Sequence, residues 1–190
     1  MSAAPTTTEI PGYVAGTWSI DATHTDVGFS VRHMMVSKVR GTFHGVEGTI
    51  TTTGDPLASS VDVSVDLASI DTGNSQRDDH IRSADFFDSE TNRTMTYRSS
   101  RVRRDGEDFI LDGDLTLKGV TKPVHLKLEL NGFAKDPWGG TRAGFSASGE
   151  VSRNDFGLSW NTALEGGGVL VGDRIQIQIE VEAVLDAPAA

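Results

Sequence analysis

From Gly16 onward the chain runs largely in a period of two. Val61, Val63, Val65 and Leu67 alternate with Asp62, Ser64, Asp66 and Ala68, and Val124, Leu126, Leu128 and Leu130 are separated by His125, Lys127 and Glu129. Near the C-terminus Ile175, Ile177, Ile179 and Val181 oppose Gln176, Gln178, Glu180 and Glu182, the strongest run of all. Weaker runs carry Val27, Phe29 and Val31; Met95, Tyr97 and Ser99; Phe109, Leu111, Leu115 and Leu117; and Phe145, Ala147 and Val151. Successive side chains of a strand point to opposite faces, so each run predicts a strand with one apolar and one wet face. Around Phe43, Val46 and Ile50 the signal is broken by Gly41, Gly45 and Gly48, which predicts bends or bulges in a curved sheet. About eight strands without interleaved long helices predict an all-β antiparallel domain, either an up-and-down barrel or a sandwich.

One short helix is predicted over residues 75–84. Asn74 or Ser75 caps it, and Asp78 and Asp79 suit the positive end of its dipole. Such a helix would cover or plug a barrel mouth. Residues 1–14 are Ala-, Pro- and Thr-rich and predict a flexible tail, leaving residues 15–187 as one domain. Lys135-Asp136-Pro137-Trp138-Gly139-Gly140 reads as a turn between strands rather than a linker.

Composition narrows the chemistry. The 190 residues include no cysteine, which removes disulfides, thiolate metal sites and thiol nucleophiles. A formal net charge of −10 argues against sequence-independent nucleic-acid binding, which needs a basic footprint. The start of the chain lacks a basic segment followed by an apolar one, and no stretch has the length of a spanning helix, so a cytosolic setting is expected unless a leader has been removed.

None of the five histidines, His24, His33, His44, His80 and His125, forms an HxH or HExxH pair. No metal site is expected; His24 and His33 meet only if their strands pair. GxSxG, GxGxxG and phosphate-loop patterns are absent, and Gly166-Gly167-Gly168 reads as a loop before the last strand. The densest ionisable run is Arg77-Asp78-Asp79-His80-Ile81-Arg82. It suits a capped, salt-bridged helix turn, or a charged lip whose arginines hold an anionic headgroup. Phe86 and Phe87 after it either close the core or line a chamber. Arg153 and Asp155 read as a tied turn, with Arg153 as a second phosphate partner in the functional alternative. Trp18 and Trp160 suit barrel plugs or pocket lining.

Several stretches in order carry a resemblance. They are Trp18-Ser19-Ile20-Asp21 with His24, Phe29-Ser30-Val31-Arg32-His33, Arg77 through Asp88, Gly113 through Val124, and Ser152 through Leu158. Together they resemble the YceI-like family from about residue 18 to residue 184. The Arg-Asp-x-His-Ile-Arg-Ser-x-Asp-Phe-Phe-Asp run is the most specific. The pattern departs at Thr25, where Ser is usual, and at Asn92-Arg93, where Tyr-Pro is common.

The resemblance implies an eight-stranded antiparallel lipocalin-like barrel of bacterial type that holds a polyisoprenoid or other long-chain lipid as carrier or store, without cofactor or catalysis. On that reading the apolar lining is Val27, Phe29, Val31, Phe43, Phe86, Phe87, Leu126, Leu128, Trp160, Ile177 and Ile179. The polar mouth is His24, His33, Arg77, His80, Arg82 and Arg153. The alternatives are a lipid-modifying enzyme using His24, His33 or His80 with Asp79, and a closed-core stress-related protein without ligand. Exposed edges and loops of such folds allow a homodimer.

Overall fold

The computed structural model describes residues 10–187. Eleven strands form one antiparallel sheet: β1 Gly16–Ile20, β2 Asp26–His33, β3 Ser37–Phe43, β4 Val46–Thr52, β5 Ser60–Asp66, β6 Ile70–Asp71, β7 Thr94–Asp105, β8 Asp108–Leu117, β9 Val120–Lys135, β10 Thr141–Ser152 and β11 Val171–Leu185. The sheet closes because β11 pairs with β2 over its first part, from Val171 to Glu180, and with β1 through Ala183, Val184 and Leu185. The result is a closed eight-stranded antiparallel barrel, so the barrel alternative holds over the sandwich.

Eleven segments make eight staves because three staves are broken. A 3-10 turn at Ala22–His24, capped by Asp21, separates β1 from β2. Another at Leu67–Ser69, capped by Asp66, separates β5 from β6. Between them β3 and β4 part at His44 and Gly45, where a Cβ on Gly45 would lie 2.8 Å from Asp66 Cβ. Only glycine lets the two bent staves come this close. Beyond the breaks β6 pairs with β3 but not with β7, and the helix α1, Ser75–Arg82, packs beside it. Asn74 accepts from the Arg77 amide and caps α1, which ends two residues before the predicted boundary because Ser83 leaves helical geometry.

Burial follows the alternation. Phe43, Val65, Leu111, Leu126 and Phe156 belong to the main apolar cluster, while a smaller one gathers Trp18, Ala143 and Ala183 near the end where β1 meets β11. Trp18 is fully buried and its indole N–H donates to Thr52 Oγ1 at 2.8 Å. Residues 1–9 of the expected tail lie outside the described residues. Tyr13 departs from that expectation: its ring meets Phe133 edge-on at 5.3 Å and its hydroxyl donates to the Thr53 carbonyl. An aromatic ring with an apolar neighbour and a partner for its hydroxyl gains more by packing than by staying free.

Candidate functional site

The inward side chains do not fill the barrel. They enclose a cavity of about 450 Å3, within the range of roughly 300–1,000 Å3 typical of small-molecule sites. The structure places Val27, Phe29, Val31, Phe43, Phe86, Phe87, Leu126, Leu128, Trp160, Ile177 and Ile179 on its wall. Most are β-branched or aromatic residues at alternate strand positions, which fit a pleated wall. Ile10 and Tyr13 line the end near Trp18. Gly41 sits beneath the Phe29 ring, and Gly113 beneath that of Tyr97, so two aromatic walls lie flat against the sheet.

The other end is basic. His33, Arg77, His80 and Arg153 reach the cavity there, and so does Arg32. Among the described residues no carboxylate lines the cavity, in a chain whose net charge is −10. Arg77 is held by Thr72, donating to its hydroxyl and its carbonyl at 2.8 Å each. His80 bonds Asp85 at 2.8 Å and packs edge-on against Trp160 and Phe86, with ring centroids 4.6 and 5.2 Å away. Arg153, only 4 % exposed, donates to the carbonyls of Gly172, Leu158, Trp160 and Val171. Burial pushes the pKa of this guanidinium down. It pins the segment between β10 and β11, so its tied-turn role is the one the contacts describe.

Two expected mouth residues lie elsewhere. His24 sits on the exposed break between β1 and β2, bonded to Asp21 at 2.9 Å; it belongs to the same broken stave as His33, so the two cannot meet across paired strands. Arg82 points back from the end of α1, donating to the carbonyls of Ala68 and Ile70 and to Asp79. Asp79 is thereby engaged with Arg82, and the histidine of that helix pairs with Asp85 instead. Arg32 escaped the sequence reading because alternation puts it on the outer face; at the rim of β2 outside and inside meet. Tyr97 also escaped. Its hydroxyl donates to the Leu111 and Val124 carbonyls on the inner wall, and burial, then Asp112 and Asp114, push its pKa up, so it stays a neutral donor.

Two further ionic clusters lie outside the cavity. Asp112, buried on the outer face, is bound by Arg101, Arg103 and His125, which hold it well below the usual carboxylate range. Asp21, His24 and Glu182 bring ligand atoms within 4.8 Å of one another. Arg142 already supplies positive charge there, 2.9 Å from Asp21 and 2.5 Å from Glu182. Hydrogen bonds from Thr23 and His24, with that arginine, depress the Asp21 pKa.

The structure is thus a closed eight-stranded barrel that is hollow, apolar within and basic at one rim, the architecture of the small ligand-binding barrels. A family profile for the YceI-like domain matches residues 18–183, and the chain belongs to the YceI-like family. A UPF0312 protein of Photorhabdus laumondii is 42 % identical over 146 residues, covering 75 % of this chain and 76 % of that protein. Protein YceI of Escherichia coli O157:H7 is 42 % identical over 148 residues, covering 76 % and 78 %. The crystal structure of the Campylobacter jejuni YceI protein superposes with a TM-score of 0.69 at 33 % identity, covering 88 % of this chain and 96 % of that one. A polyisoprenoid binding domain from Saccharophagus degradans shares the fold, with a TM-score of 0.66 at 17 % identity over 91 % of this chain and all of that one.

Proposed function

We propose that this protein carries a polyisoprenoid or related long-chain lipid, its tail in the barrel and an anionic or strongly polar head at the basic rim. The observation that supports the reading is the combination of an apolar cavity with basic side chains and no carboxylate among the described lining residues. A tail of about thirty heavy atoms at roughly 0.3 kcal/mol per atom gains about 9 kcal/mol, a sub-micromolar affinity that needs no catalytic group. Of the rim cations, Arg77 and Arg32 lack a carboxylate partner among the described residues and are the best placed to meet the head. Arg153 is spent on backbone carbonyls. The closed-core alternative requires a filled interior, which the cavity opposes.

Native mass spectrometry of freshly purified protein, followed by extraction, tests the reading directly. A stoichiometric isoprenoid or acyl chain supports it. Titration of delipidated protein with a fluorescent prenyl diphosphate provides the second arm. Ala147→Trp, which fills the space between Leu128 and Ile179, should lower that affinity at least tenfold. Failure of both prenyl diphosphates and fatty acids to bind would sink the carrier reading.

A further inference from the structure

We propose that the tip of the β2–β3 hairpin docks on an anionic phospholipid bilayer and sets the basic end of the barrel against it. The proposal rests on the carrier reading for its purpose, but its evidence is independent. Six large apolar side chains are exposed among the described residues, and four of them meet at one place. Met34, Met35 and Val36 form the hairpin tip, 45, 58 and 79 % exposed, and Val169 lies in the adjoining segment. The Met34 amide donates to the Leu170 carbonyl, which couples the tip to that segment. Val14 and Trp138, the other two, belong to the opposite end of the barrel.

Three features of this tip are unfavourable for the isolated protein. The methionines are exposed. Both are also left-handed, with φ of 52° and 62°, in a turn that Asn and Gly fit and that an unbranched apolar side chain does not favour. Just behind them Arg32 stands directly opposite Lys38 on the outer face, a like-charge pair, with Arg40 two residues further along. None of these three makes an ion pair among the described residues. A bilayer removes all the exposure and charge costs together. Side chains at the tip enter the boundary between headgroups and acyl chains, while the basic residues behind them meet lipid phosphates.

The same hairpin contributes Val31, His33 and Val39 to the cavity wall, so insertion brings the cavity to the membrane surface. A three-residue tip is small beside the roughly 800 Å2 that a stable protein interface takes from each partner, which favours lipid over protein as the occupant. Asp155 and Glu165 are the acidic residues in the segment between β10 and β11, whereas Asp85, Asp88 and Glu90 follow α1 on the β6–β7 side. The barrel therefore approaches tilted, hairpin first.

Vesicle co-sedimentation of the full chain tests this, comparing phosphatidylcholine vesicles with mixtures containing phosphatidylglycerol. Binding should require the anionic lipid and weaken with salt. The variant Met34→Asn, Met35→Gly, Val36→Ser suits the left-handed turn and so keeps the fold. It should lower partitioning by about tenfold or more, since burying even one methionine side chain is worth that factor. Lys38→Glu with Arg40→Glu should abolish the preference for phosphatidylglycerol. Equal partitioning of the parent and the tip variant, or none by the parent, overturns the proposal. So does a parent dimer in sedimentation velocity that the tip variant loses without any vesicle binding, which would assign the tip to a second copy. Prenyl diphosphate binding without vesicles is read on the same proteins, so failure of the carrier reading shows separately.

Discussion

Arg153→Met separates a guanidinium that builds the barrel from one that waits for a ligand. The side chain is 4 % exposed and its donors go to four carbonyls in the segment between β10 and β11 and in β11 itself. Val171 also accepts from Asn161, so its carbonyl keeps a partner, whereas those of Gly172, Leu158 and Trp160 lose the bonds that Arg153 supplies. Each such loss costs about 1–3 kcal/mol in a buried setting. Removing a desolvated guanidinium, whose depressed pKa marks the cost of burying its charge, returns part of that. A net destabilisation of about 3 kcal/mol follows, which for a domain of this size is a fall in Tm of roughly 10 °C. Delipidated parent and variant are compared by calorimetry at neutral pH. Arg153→Lys, with at most three donors and no planar fork, should fall between them. A variant that melts within about 2 °C of the parent while its affinity for prenyl diphosphate drops tenfold would refute the structural role and make Arg153 a headgroup ligand.

Gly41→Ala places a Cβ 2.5 Å from the Phe29 ring, so the ring must turn into the cavity; stability should fall by about 1–3 kcal/mol in urea melts, with weaker lipid binding. Unchanged binding would show that Phe29 does not shape the cavity. In a spectrophotometric titration Tyr97 should ionise later than an ordinary tyrosine and be released on alkaline unfolding; Tyr97→Phe removes that delayed step. Asp112 has a folded pKa below its unfolded value, so its contribution is complete above about pH 4 and is lost as the pH falls further. Asp112→Asn should therefore destabilise at neutral pH and flatten the acid limb of the stability profile; an acid limb as steep as the parent's would place the acid-labile groups elsewhere.

Period-two alternation carried most of this architecture into the sequence. It fixed which side chains face inward, and Val27 through Val31 and Ile175 through Ile179 pair in the register that puts both apolar sets on the cavity. It could not reveal that the staves break at Ala22–His24 and Leu67–Ser69, because those turns are stabilised by Asp21 and Asp66 capping local amides, a signal shared with many ordinary loops. The basic rim was only partly legible for the same reason. Arg77, His80 and Arg82 sit together in sequence, but helical spacing and the bonds to Thr72, Asp85 and Ala68 send them in different directions. Arg32 was hidden by a rule that holds within the wall and fails at its rim.

The hollowness has an energetic consequence. At about 24 cal/mol per Å3, leaving some 450 Å3 unfilled forgoes about 11 kcal/mol of packing, comparable to the whole net stability of an ordinary domain. The chain bears that through the closed ladder, in which each strand from β7 to β11 has a partner on both sides over part of its length, and through ionic ties such as Asp112 with its three cations. Filling the cavity with larger side chains would recover part of the deficit, since Ala147 and the valines of β2 and β5 all border it. On the carrier reading a lipid would recover it instead, and its binding energy would appear as added stability of the loaded barrel. The same alternation that keeps charges outside thus leaves inside a deficit that an apolar chain can satisfy, and on the carrier reading the basic rim would favour a chain with an anionic head.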